Sequence, residues 1–167
     1  DKYRALTFKV LDELFASSEK LIPSGIRILS WASGNAVVFA EDEAALISRM
    51  QNFAREYQIY FFPSLLVLGD YKGPDQNHVL AIRPDGQIEY DHYKGRNPNA
   101  GFYRGNLIEI IITPYGRIAS PICFEMEFHR FIRQAGKKGV DILLVPGDEP
   151  ARGAAIMHTE VSMFRAI

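Results

Sequence analysis

The sequence predicts an α/β layered domain with a mixed sheet, and three observations carry that prediction. Segments of helical period alternate with apolar runs of strand length along all 167 residues. Strand candidates outnumber helix candidates, and the helices fall between them at intervals. With 47% hydrophobic and 23% charged residues, the chain has the composition of one globular domain with a substantial core.

The elements follow in order. Residues 3–20 place Tyr3, Leu6, Val10 and Leu14, with Leu11 and Phe15, at the spacing of an amphipathic helix, which Pro23, Ser24 and Gly25 end. Ile26, Ile28, Leu29 and Trp31 make residues 26–31 a short strand, and 32–35 a small polar turn. A helix over 42–57 turns Ala45, Leu46, Met50, Phe53 and Tyr57 inward. Glu41, Asp42 and Glu43 at its start suit the positive end of the helix dipole.

Residues 59–68 are a long run of strand character, within which Pro63 argues for a bulge or an edge position. After a loop over 72–77, strands 78–82 and 87–93 form a hairpin around Arg83-Pro84-Asp85-Gly86. Residues 91–106 are rich in Gly, Asn and Pro without periodicity, a surface loop long enough to carry function. Residues 107–113 read as a strand, and 118–124 as a buried strand behind the turn Pro114-Tyr115-Gly116. The next helix, 128–138, has Phe128, Phe131, Ile132 and Ala135 on one face. Residues 140–145 read as a strand buried on both faces, 147–153 as a loop with Asp148, Glu149 and Arg152, and 154–167 as a last helix.

Composition excludes several classes. A net charge of −1 gives no electrostatic case for nucleic acid or an anionic membrane. A single cysteine cannot form an internal disulfide. No apolar run approaches the ~20 residues of a membrane span, and the charged start does not read as a signal peptide. The chain opens on DKYRALTFKVLDELF, already helical, and closes on HTEVSMFRAI without a breaker after Ile167, so a fragment of a longer polypeptide is expected.

The chemistry centres on Cys123, at the break between an apolar strand and a helix. Such a break presents its residue to solvent, although a lone cysteine is most often a small buried hydrophobe. A cysteine attacks as thiolate and needs a group that takes its proton or lowers its pKa. Lys94 is the candidate partner, at a strand end where α/β folds gather site residues. The plain alternative is a solvated loop lysine. Glu125 is placed to orient or neutralise that lysine, or simply to complement a helix dipole. The backbone N–H of Phe124 is a candidate oxyanion donor. His129 and His158 were weighed as partners for Cys123, and surface, packing or capping roles suit them better. No metal-ligand spacing exists among four histidines and one cysteine, and no phosphate-cradling glycine loop is present.

Three strings, DHYKGRNPNAGFY, TPYGRIASPICFEMEFHRFIRQAGKKGVDILLVPGDEP and MHTEVSMFRAI, resemble the carbon–nitrogen hydrolase (nitrilase) superfamily. Within it they look most like the apolipoprotein N-acyltransferase branch. The resemblance covers nearly the whole chain as one partial domain, 1–167. It implies an αββα sandwich, incomplete here at both ends, and a Glu–Lys–Cys triad that cleaves or transfers acyl groups. Cys123 falls on the nucleophile that forms the acyl-enzyme, and Lys94 on the lysine that steadies the oxyanion with the Phe124 N–H. Glu125 matches the glutamate that the acyltransferase branch has two residues after its cysteine.

The general base is where the pattern departs. Trp31 is present, but Ser33 occupies the place of the family's glutamate, and a further family glutamate falls on Gly101. General-base help is worth roughly 10²–10⁴ in rate. The resemblance therefore leaves several readings: an impaired or trapped thiol enzyme, or a non-catalytic relative that binds a ligand. In others Glu41 or Glu43, or the pair Glu125 and Glu127, substitutes for the base. No cofactor is implied. The implied partner is a small-molecule or lipoprotein acyl substrate, with a membrane only through segments outside this chain. Residence would be at the extracytoplasmic membrane face for an acyltransferase and cytoplasmic otherwise.

Overall fold

In a computed structural model the described residues are 2–69, 75–95, 107–148, and 156, 159 and 160. Of the expected loop over 91–106, residues 91–93 belong to a strand and 96–106, with Gly101, lie outside the described ones, as do the end of the loop 147–153 and most of the last helix, with His158.

Helix α1 (Lys2–Glu19) is followed by β1 (Ile28–Ser30), β2 (Ala36–Phe39) and α2 (Glu43–Tyr57). Then come β3 (Tyr60–Phe62), β4 (Ser64–Leu68), β5 (Gln76–Ile82) and β6 (Ile88–Tyr93). After the undescribed loop, β7 (Ile111–Thr113), β8 (Gly116–Ala119), α3 (His129–Lys137) and β9 (Ile142–Leu143) complete the order.

Two sheets result. In the first, β3 and β4 act as one bent strand, since both pair antiparallel with β5. On its other side β1 runs parallel to β3, and β2 parallel to β4. Strand β6 extends the sheet beyond β5 through the expected hairpin, closed by Arg83 N–H to the Gln87 carbonyl at 2.8 Å. The second sheet pairs β7 antiparallel and β9 parallel with β8.

Strand alternation sorts the core into layers. Phe61, Leu80 and Ile82 pack with Leu11 and Phe15 of α1 and Leu46, Met50 and Phe53 of α2. Their neighbours Phe62, Val79 and Ala81 point the other way, onto Ile111, Ile118 and Ile122. Ala119, one residue past Ile118, packs with Phe131, Ile132 and Ala135 of α3. Helices, sheet, sheet and helix are therefore stacked in four layers, the αββα order expected. Each fully buried Phe, Leu or Ile adds ~1.5–3 kcal/mol to this stack.

Several elements differ from expectation. Strand β2 falls within a stretch left without a strand, and its four residues are too few for a clear period. Pro63 interrupts the bent strand but lies in the interior of the sheet, not at an edge. A proline has no N–H to give, and here the partner chain has left the sheet: pairing ends at Ser30 in β1 and resumes at Ala36 in β2. The Pro63 carbonyl still accepts from Leu80 N–H at 3.1 Å.

Helix α1 buries Leu11, Phe15 and Ser18, while Tyr3, Leu6 and Val10 stand exposed. At 100° per residue the two stripes lie about a quarter turn apart. Asp42 stands at the N-cap position of α2 but makes no side-chain cap hydrogen bond; its carboxylate pairs with Arg4 of α1. Strand β8 ends at Ala119, short of Phe124. Strand β9 is half-buried because, among the described residues, it is the edge of its sheet.

Candidate active site

Cys123 opens a turn of 3₁₀ helix, Cys123–Glu127, directly after the chain leaves β8. Its φ is +48°, the left-handed region that costs a non-glycine residue about 1–3 kcal/mol. The thiol is half-buried and Phe124 beside it is exposed. The Cys123 N–H donates to the Pro146 carbonyl at 2.9 Å, so that amide is committed to structure.

Glu125 is the fixed point below the nucleophile. It is 1% exposed. Oε2 accepts from Ile122 N–H at 2.7 Å and lies 2.8 Å from His92 Nε2, and Oε1 accepts from Gly95 N–H at 2.9 Å. One carboxylate therefore ties the residue before Cys123 to the residue after Lys94. Its partners are two amides and an imidazole, not the Lys94 amine that sequence reasoning gave it. His92 is itself buried, with Nδ1 3.7 Å from Glu109, and it stacks on Phe131 at 5.8 Å between ring centroids. The Glu109 side chain is 44% exposed, and its partial desolvation raises the carboxyl above its ordinary value, which His92 partly offsets.

Lys94 directly follows β6. Its N–H donates to the Asn77 carbonyl at 2.8 Å, so the β5–β6 ladder runs one residue further. Alternation then puts its side chain on the face of His92, toward the second sheet. The Asn77 amide donates to the Ser33 hydroxyl at 3.1 Å, and Ser33 is buried in the turn between β1 and β2. Gly34, with φ +79°, follows it, and Asp148 lies so close that a Cβ on Gly34 would meet Asp148 Oδ2 at 2.7 Å.

These contacts close a circuit: Cys123 to Pro146, Asp148 to Gly34, Ser33 to Asn77, then Lys94 and Gly95 to Glu125, and back through Ile122 to Cys123. The predicted residues Cys123, Glu125, Lys94 and Ser33 stand on it, and Phe124 lies between two of them in the same turn. His129 does not, being exposed at the start of α3.

The alternative carboxylates lie elsewhere. Glu41 pairs with Arg4 at 3.0 Å. Glu43 sits 3.4 Å from His78 Nε2, on the helix-facing side of the first sheet. Sequence reasoning missed Asn77, His92 and Asp148. His92 was findable, two residues before Lys94 and therefore on the same strand face. Asp148 was findable from its place beyond the end of a buried strand.

Comparison with known proteins follows this geometry. The carbon-nitrogen hydrolase family model matches residues 15–166. A Bacillus subtilis (strain 168) protein described as "Probable hydrolase YhcX" is 29% identical over 100 residues, 58% of this chain and 20% of that protein. Saccharomyces cerevisiae Nit3, of branch 10 of the nitrilase superfamily, superposes with a TM-score of 0.81 at 14% identity, over 96% of this chain and 66% of that one. A carbon-nitrogen hydrolase from Helicobacter pylori G27 gives 0.78 at 16% identity, over 95% and 63%. An amidase from Nesterenkonia sp. AN1, in a mutant showing covalent addition of the acetamide moiety of fluoroacetamide at the active site cysteine, gives 0.74 at 18%, over 90% and 62%. At such identities the structural likeness is one of fold. The chain spans about a fifth of the curated relative's length and about two thirds of the solved chains.

Proposed function

The chain belongs to the carbon–nitrogen hydrolase family, and on that premise we propose that it carries out amide hydrolysis or acyl transfer through a Cys123 acyl-enzyme. The observation that carries this reading is the closed circuit around the site. It brings the nucleophile's turn, the strand end bearing Lys94 and the Ser33 turn to one rim.

The chemistry follows from the parts. The Cys123 sulfur attacks a carbonyl, whose oxygen takes up negative charge. Lys94 supplies a cation on that side, and the Phe124 N–H, next in the turn to Cys123, is the oxyanion donor. Collapse expels an amine or alkoxide, and a second nucleophile releases the acyl group. Water as that nucleophile makes an amidase; an amine makes an N-acyltransferase. Glu125, two residues after the cysteine, favours the apolipoprotein N-acyltransferase branch, whose membrane helices would lie outside these residues. Among the described residues no helix is long and apolar enough to cross a membrane.

The test is mass spectrometry of the intact chain after exposure to a thiol-directed electrophile and to an activated ester. Rapid addition of one adduct or acyl group at Cys123, absent in Cys123→Ala, supports the reading. A thiol inert at neutral pH overturns it. A second reading, a ligand-binding module without turnover, is favoured by Ser33, whose buried hydroxyl accepts from Asn77 where the family has a base. Ser33→Glu helps separate the two: turnover by the parent or gained in the variant marks an enzyme, and none in either marks a binding module.

A further inference from the structure

We propose that Asp148 is the general base of this site, replacing from the second sheet the carboxylate that the Ser33 turn no longer supplies. The proposal rests on the reading of Cys123 as nucleophile.

Position is the first argument. Asp148 lies past the end of β9, two residues after Pro146, whose carbonyl holds the Cys123 N–H at 2.9 Å. Its Oδ2 sits against Gly34, where a Cβ would meet it at 2.7 Å. A side chain at residue 34 would displace the carboxylate from this position, which glycine leaves open. The acid therefore stands beside the vacated base position while its own loop touches the nucleophile's backbone.

Elimination among Glu125, Glu41 and Glu43 is the second argument. The oxygens of Glu125 are occupied by Ile122, Gly95 and His92. Glu41 pairs with Arg4, and Glu43 faces His78 on the opposite side of the sheet. Asp148 is exposed and edges the circuit itself.

The proton inventory closes. The Cys123 S–H proton passes to an Asp148 oxygen, directly or through one water, as the S–C bond forms and the carbonyl pair moves to oxygen. On collapse the C–N or C–O bond breaks, and the leaving group takes that proton from Asp148. In the second half water or an amine gives its proton to Asp148 and bonds to the acyl carbon. The sulfur departs and takes the proton back.

The experiment is the pre-steady-state burst of p-nitrophenolate from p-nitrophenyl acetate, across pH, on the whole chain and on variants with unchanged thermal midpoints. Asp148→Asn is expected to slow acylation by ~10²–10⁴ and to flatten its pH dependence. Ser33→Glu in the Asp148→Asn background is expected to restore at least a tenth of the parent rate, because it returns a carboxylate to the neighbouring position. An Asp148→Asn rate within threefold of the parent, with the same pH dependence, overturns the assignment and leaves Cys123 standing. A burst that survives Cys123→Ala, or no burst in the parent, overturns the Cys123 reading and this assignment with it.

Discussion

Replacing Glu125 with glutamine removes one charge from a buried site and changes almost no volume. The carboxylate accepts from the Ile122 and Gly95 amides and sits 2.8 Å from His92. A glutamine with its carbonyl in the Oε2 place keeps the Ile122 and His92 contacts but turns an NH₂ toward the Gly95 N–H. One hydrogen bond to a charged group is lost, at ~1.5–3 kcal/mol, and a buried donor faces a donor, at ~1–3 kcal/mol. These costs overlap, so Glu125→Gln is expected to lose about 2–4 kcal/mol. Glu125→Ala strands both amides and His92, for ~4–6 kcal/mol, against a typical domain stability of ~5–15 kcal/mol. Urea unfolding reads the loss as a lower midpoint at unchanged m. Iodoacetamide labelling of Cys123 reads the site, because the same carboxylate sets the turn carrying the thiol. Glutamine at parent stability, with parent labelling rate, would refute the view that this group organises the site.

Three other outcomes are expected. Lys94→Ala should slow acylation of Cys123 by ~10²–10³, the usual loss for one oxyanion-stabilising group, with little change in unfolding midpoint; the burst assay checks it. Cys123→Gly should unfold ~0.5–1 kcal/mol later than Cys123→Ala, since glycine escapes the left-handed penalty of ~1–2 kcal/mol but gives back ~0.5–1 in chain entropy; equal midpoints would argue against strain at φ +48°. Glu109 has its carboxyl raised, chiefly by partial desolvation of a half-exposed side chain, so its charged form is mildly disfavoured in the fold. That raised value favours the folded state at low pH, and the benefit fades as pH rises through the folded value. Glu109→Gln should therefore stabilise at pH 7 and be neutral at pH 4, in paired thermal melts.

Where period and punctuation coincide, the fold was legible. The β5–β6 hairpin follows from Pro84 and Gly86, and the break after β8 from an apolar run meeting a helical one. The four-layer stack came from resemblance. What escaped depended on partners far along the chain. Strand β2 exists because β4 offers it an edge, and β9 is half-buried because nothing among the described residues pairs beyond it. The facing of α1 was misjudged since two apolar stripes compete and only contact with Trp31, Phe53 and their neighbours chooses between them. Of the site, Cys123 and Lys94 were nameable because their types are chemically marked, and Ser33 only through the resemblance. The circuit joining them runs through main-chain amides of Ile122, Gly95 and Lys94, which carry no letter of their own.

The vacancy opposite Pro63 has an evolutionary meaning. Since β1 and β2 grip separate halves of the same bent strand, the short polar turn after Trp31 joins them without belonging to either register, while Trp31 itself stays anchored in the core. A scaffold built this way confines changes of chemistry to one side chain in that turn: acid or alcohol can be tried at residue 33 while both strand pairings are kept. Descent with altered chemistry then costs the lineage little more than the residues in that short span.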